Sequence, residues 1–133
     1  MAKYFTIGEL CKSDTALAKG IANTPDNTTI ERMQALMEEC LDKVREMWGK
    51  PIGVNSGYRS AELNREVGGA KNSQHLRGEA ADITTGTKEN NRKLFDLIVA
   101  SEIPFDQLID ESGYKWLHIS YCKDDNRKQV LHL

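Results

Sequence analysis

Two histidines and one aspartate place the strictest demand on how this chain can fold. His75 and Asp82 lie seven residues apart in Asn72-Ser73-Gln74-His75-Leu76-Arg77-Gly78-Glu79-Ala80-Ala81-Asp82, and His118 sits in the alternating run Trp116-Leu117-His118-Ile119-Ser120. The first pair, separated by a glycine and small residues, can put a nitrogen and an oxygen on one metal ion, and His118 supplies a second nitrogen. Two His and one Asp leave the fourth position of a tetrahedral zinc free for water, which is the ligand count of a catalytic site, whereas a structural zinc is closed by four protein ligands. A fold that uses this set must therefore bring residue 118 beside residues 75 and 82.

The competing donors are weaker. Cys122 shares a face with His118 in an extended strand, but four residues at ~3.3 Å each place it about 13 Å away, too far for the same ion. His132, one residue from the C-terminus, reads as solvated or frayed. Gly78 permits a close backbone approach or an unusual φ, and the small Ala80 and Ala81 leave room beside the ion.

A water activated at such a centre also needs a proton carrier. Gln107 to Glu111 and Lys115 to Tyr121 flank Ser112-Gly113 and read as a β-hairpin. With an even-length loop, Glu111 falls on the same sheet face as His118 and diagonal to it, about 7–8 Å away by Cα, which suits a general base. An odd loop presents Asp110 instead. Arg59 closes the run Ser56-Gly57-Tyr58-Arg59, and its planar, permanently charged fork suits a carboxylate or a developing oxyanion; a buried structural ion pair is the alternative. Trp116 either packs in the core or lines the cleft.

These residues resemble the M15 family of zinc peptidases, which comprises D-alanyl-D-alanine carboxypeptidases, dipeptidases and related phage endolysins. The family pattern Ser-x-His-x-x-Gly-x-Ala-x-Asp is matched at every fixed position by Ser73, His75, Gly78, Ala80 and Asp82. The similarity takes in Ser56 to Ser60 upstream and Gln107 to Tyr121 downstream, a little over half of the chain, and leaves the N-terminal third unassigned. It implies a zinc-dependent hydrolase of a peptide bond in bacterial peptidoglycan, with the stem peptide as substrate. Either D-alanyl-D-alanine carboxypeptidase or L-alanyl-D-glutamate endopeptidase cleavage fits. It also implies that Zn2+ is held by His75, Asp82 and His118, that Arg59 orients substrate or stabilises the tetrahedral intermediate, and that Ser73 contacts substrate. Glu111 matches branches whose base lies well upstream of the last histidine; the dipeptidase branch carries its glutamate three residues before that histidine, where this chain has Lys115. The alternative reading is a non-catalytic zinc-containing module that binds a cell-wall peptide or a protein, by analogy with the similarly folded hedgehog signalling domains.

Composition narrows the remaining classes. A chain of 133 residues is the size of one domain, expected to span 1–133. The net charge of −2 and pI near 5.9 argue against bulk attraction to nucleic acid or anionic membrane. No apolar run approaches membrane-spanning length, and the first ten residues lack the apolar stretch and cleavage site of an export signal. The expectation is a protein made in the cytoplasm, monomeric, that reaches cell wall after release, as a phage or prophage lytic enzyme would. Cys11, Cys40 and Cys122 are odd in number with no CxxC spacing and read as reduced.

Thr28 with Glu31 forms a capping-box pattern ahead of Ile30, Met33, Met37, Cys40, Leu41, Val44 and Met47, the stripe of a helix of about five turns stopped by Gly49 and Pro51. A strand over Ile52 to Tyr58, a helix capped by Ser60 and running to Val67, and a strand over Glu79 to Thr84 with Asp82 near its end follow. Thr87 caps a helix to about Ser101, burying Leu94, Phe95, Ile98 and Val99, and Gln129 to Leu133 can add an edge strand. The predicted class is α+β, with helices packed on a mainly antiparallel sheet that carries the zinc site, like hedgehog and D-Ala-D-Ala peptidase domains.

Overall fold

The computed structural model describes residues 2–133. Five strands, β1 (Gly53–Ser56), β2 (Ala80–Thr84), β3 (Gln107–Glu111), β4 (Trp116–Ser120) and β5 (Gln129–His132), form one sheet in the order β1-β2-β4-β3-β5. Every pairing is antiparallel except β3 with β5. Among the described residues six α-helices accompany it: α1 (Ile7–Cys11), α2 (Asp14–Lys19), α3 (Asn27–Leu36), α4 (Asp42–Trp48), α5 (Ala61–Glu66) and α6 (Lys88–Ala100). This is the expected α+β class. No helix among the described residues is long and apolar enough to cross a membrane.

The period-2 alternation of a strand separates core from site. Ala81 and Ile83 of β2, Leu117 and Ile119 of β4 and Leu108 of β3 are fully buried in the same core as Met33, Leu36, Met37, Cys40 and Leu41. Asp82, His118 and Glu111 alternate with them and point to the opposite face. Because β2 and β4 are antiparallel and in register, Asp82 stands directly opposite His118. Asp82 is thus central in β2 rather than near its end.

The long helix runs without interruption from residue 27 to Trp48, stops at Gly49 as expected, and carries one irregular turn. Its N-cap is Asp26, whose side chain accepts from Thr29 N, not Thr28. Between α3 and α4, residues Met37–Leu41 make one π-type turn. The wider turn keeps Met37, Cys40, Leu41 and Val44 buried together and turns Asp42 inward, where its carboxylate accepts from Lys3 N at 2.6 Å and Tyr4 N at 3.0 Å. Ile30 and Met47, read as core, are half-buried.

Ser60 caps α5 and Thr87 caps α6 as the sequence predicts. Asn91, Leu94, Phe95 and Ile98 form the buried stripe of α6, whereas Val99 is 48% exposed, because it lies beyond the i, i+3, i+4, i+7 positions that face the sheet. Asn91 is fully buried and donates to the carbonyls of Tyr114 at 2.9 Å and Lys115 at 3.1 Å while accepting from Thr85 N at 2.7 Å. Its amide pins the turn after Glu111 to α6.

The N-terminal third, silent in the sequence, buttresses the site loop. Tyr58 N donates to Leu10 O at 2.8 Å, and Asn23 bridges Cys11 O, Tyr58 O and Ser60 N. Gly57 packs against Leu10 so tightly that an added Cβ would lie 2.9 Å from Leu10 Cα. All three cysteines are free.

Candidate active site

His75 is held by a short turn of its own. Residues Gln74–Arg77 form one 3-10 turn whose N-cap is Ser73; the Ser73 hydroxyl accepts from His75 N at 3.2 Å. Ser73 therefore shapes the turn as well as lining the cleft. Gly78 ends the turn in the left-handed region at φ +74°, where a Cβ would lie 2.7 Å from Met33 Cγ and 3.0 Å from Thr29 O. Gly78→Ala is expected to destabilise the fold by about 2–5 kcal/mol, from a left-handed penalty together with overpacking. Urea denaturation measures this, and an unchanged midpoint would contradict it.

The His75 ring is almost fully buried, and its Nδ1–H donates to Gly57 O at 2.7 Å. A carbonyl only accepts, so the proton sits on Nδ1 and Nε2 turns its lone pair into the site. There Nε2 lies 3.3 Å from Asp82 Oδ1, and His118 Nδ1 lies 3.2 Å from the same oxygen. The three side chains form a cluster whose donor atoms all lie within 4.8 Å of one another. A tetrahedral ion with ligand bonds near ~2.0–2.1 Å has ligand-to-ligand edges of about 3.3 Å, so two edges of this triangle already match zinc. Nitrogen and oxygen donors in this number suit Zn2+ better than the all-oxygen shells of calcium or magnesium.

Burial alone raises the Asp82 pKa, but the hydrogen bonds of His118 and His75 and their charges outweigh it and hold the carboxyl well below the ordinary range. The cluster opens into a cleft of about 370 Å³ lined by Arg59, Ser73, Glu111 and Trp116 among others. A cavity of about 770 Å³ beside α3 and Tyr121 is larger, but none of the three clustered side chains lines it.

Glu111 pairs with Trp116, and Ile109 pairs with His118, across a four-residue turn from Ser112 to Lys115. An even turn was the condition for Glu111 to share the His118 face, and the observed register puts it diagonal to that histidine. Burial raises the Glu111 pKa, and the negative charge of Asp82 adds to it. Asp110, opposite Leu117, points the other way and is buried beside His132 of β5, to which it is paired. His132 is therefore solvated, as expected, but held to Asp110 on the far face rather than frayed. Cys122 lies beyond β4 and outside the cluster.

Arg59 follows β1 and is half-buried. Its Nη1 donates to Asn64 Oδ1 at 2.9 Å, and its buried Nε has no partner. Burial lowers its pKa while the charge of Asp82 opposes the shift. Among the described residues no buried ion pair of the kind weighed from the sequence holds it, and Arg59 lines the cleft.

The motif did not single out Gln74, Asp106 or Arg127. Gln74 Oε1 lies 3.3 Å from His118 Nε2, its Nε2 donates to Asp106 Oδ2 at 2.7 Å, and Arg127 grips Asp106 from the other side. Hydrogen bonds from Arg127, helped by that of Gln74, outweigh burial and bring the Asp106 pKa down to about 2. Residues spread over positions 74, 106, 118 and 127 carry no local pattern that links them.

The model of the family described as Peptidase M15 matches residues 3–120. The chain belongs to the peptidase M15 family. A zinc D-Ala-D-Ala carboxypeptidase of Streptomyces albus G is 40% identical over 89 residues, which are 63% of this chain and 32% of that protein. The chain thus spans about a third of the length of that curated relative. The M15 match covers the whole of β1 to β4, and so takes in every residue of the His75, Asp82 and His118 cluster, together with the α1 and α2 region that had no assignment from sequence.

Proposed function

We propose that this M15 domain is a zinc metallopeptidase acting on the stem peptide of bacterial peptidoglycan, with the terminal D-alanyl-D-alanine bond as its target. The observation that carries the reading is the convergence of His75 Nε2, Asp82 Oδ1 and His118 Nδ1 on one point at the floor of an open cleft. The name of the Streptomyces relative favours the terminal bond over the L-alanyl-D-glutamate bond.

His75, Asp82 and His118 would hold the ion. The chemistry that zinc would supply there is the acidification of a water and the polarisation of the scissile carbonyl. Glu111, on the same sheet face as His118, takes a proton from the attacking water and returns it to the leaving amine. Arg59 presents its guanidinium to the substrate carboxylate or to the developing oxyanion. Ser73 and Trp116 line the same cleft and would contact the peptide.

Digestion of purified muropeptides followed by mass measurement tests this. Loss of one terminal alanine is expected, abolished by chelator and restored by added zinc. Cleavage within the stem would move the assignment to the endopeptidase bond. Zinc binding with no mass change in any muropeptide would favour a non-catalytic binding module.

A further inference from the structure

We infer that Gln74 and Asp106 are positioning residues that dictate which nitrogen of His118 faces the metal. The inference rests on the reading of His75, Asp82 and His118 as ligands and adds to it the cause of their orientation.

His118 lies between two acceptors: Asp82 Oδ1 is 3.2 Å from Nδ1, and Gln74 Oε1 is 3.3 Å from Nε2. By itself a glutamine amide could present either its oxygen or its NH2 to the ring. Asp106 removes that freedom. Its carboxylate can only accept, and it lies 2.7 Å from Gln74 Nε2, so the NH2 group must face Asp106 and the amide oxygen must face His118. That oxygen in turn can only accept, so His118 carries its proton on Nε2 and leaves the Nδ1 lone pair for the ion.

Asp106 is itself held rigidly. It is 4% exposed and receives Arg127 Nε at 2.9 Å, Arg127 Nη2 at 2.8 Å and the Arg127 backbone N–H at 3.1 Å. Arg127 thus braces the carboxylate, but the direction of the relay depends on the carboxylate being an acceptor and not on Arg127. His75 is set by the same logic with the opposite nitrogen, since Gly57 O takes its Nδ1–H. The two histidines are therefore bound through different nitrogens, Nε2 of His75 and Nδ1 of His118.

The experiment loads the full chain with zinc, measures affinity by competition with a chromophoric chelator, and reads the imidazole nitrogens by long-range proton–nitrogen correlation NMR. In the wild type the two rings should show opposite patterns, with His118 protonated on Nε2 and His75 on Nδ1. Gln74→Met keeps the side-chain length and removes the acceptor; it should weaken zinc binding about 10–100-fold, the usual cost of losing a hydrogen bond behind a ligand, and should lose the single His118 pattern. Asp106→Asn lets the Gln74 amide turn round and should move both readouts in the same direction, which provides the test if Gln74→Met does not fold. Arg127→Met should lower the unfolding temperature yet keep the His118 pattern and near wild-type affinity. Unchanged affinity and an unchanged His118 pattern in Gln74→Met would overturn the relay, as would an Arg127→Met loss equal to that of Gln74→Met, which would make the chain of contacts a brace only. Failure of the wild type itself to bind zinc would instead overturn the ligand reading on which the relay rests.

Discussion

Asp82→Ala is expected to empty the metal centre and to abolish peptide hydrolysis. Asp82 Oδ1 is the atom that both histidines approach, at 3.3 Å from His75 Nε2 and 3.2 Å from His118 Nδ1. It is also the sole anionic donor of the cluster. Without it the two rings, 5.2 Å apart by centroid, offer a divalent cation no charge compensation. The sheet should survive, because Ala81 and Ile83 on either side of Asp82 bury the opposite face of β2. Elemental analysis of the purified variants measures zinc directly, and His75→Ala and His118→Ala should behave alike. Stoichiometric zinc in all three variants would reject this ligand set.

Glu111→Gln should separate proton transfer from metal binding. The variant keeps the shape of the side chain but cannot accept a proton from the attacking water, so turnover is expected to fall by roughly 10²–10⁴-fold, the usual contribution of a positioned general base. Zinc content should be unchanged, since Glu111 lies outside the three-residue cluster. Asp110→Asn should be far milder in turnover and should cost stability instead, because Asp110 is buried on the other face against His132. The reverse pattern would mean that the β3–β4 register places Asp110 in the cleft.

The same substitution carries a pH signature. Burial, and then the charge of Asp82, raise the folded-state pKa of Glu111 above its unfolded value. The folded state therefore holds this proton more tightly, and its stability falls as pH rises from the unfolded pKa through the folded one, with the full penalty present above that window. Metal-free Glu111→Gln lacks the penalty. Thermal unfolding in chelator should find it no less stable than the wild type at neutral pH, and closest to the wild type in acid. A variant less stable than the wild type only at neutral pH would show that ionised Glu111 stabilises the fold.

What could be read from sequence involved residues a few positions apart. Ser60 and Thr87 cap the helices that follow them because a cap acts over three residues. Gly78 sits at positive φ because the turn carrying His75 must end sharply. The parity of the β3–β4 turn was enough to put Glu111 on the His118 face, although the turn runs from Ser112 to Lys115 rather than closing on Ser112-Gly113. One local signal failed: Thr28 with Glu31 reads as a capping box, but the cap observed is Asp26, two residues earlier.

Tertiary structure decided the rest. α1 and α2, of five and six residues, are too short to persist on propensity, and the contacts of Leu10 in α1 with Tyr58 and Gly57 are long-range. The parallel docking of β5 on β3, which brings His132 to Asp110 and Arg127 to Asp106, has no signature in either segment alone. The residue types proposed as ligands and their spacing are properties of the sequence, because side-chain chemistry and strand alternation are local. Which nitrogen each histidine turns inward depends on the carbonyl of Gly57 and the amide of Gln74, which meet the rings at sequence separations of 18 and 44 residues. Hydrogen-bond direction is set by partners, and partners that far apart along the chain are chosen only when the strand order β1-β2-β4-β3-β5 packs them together.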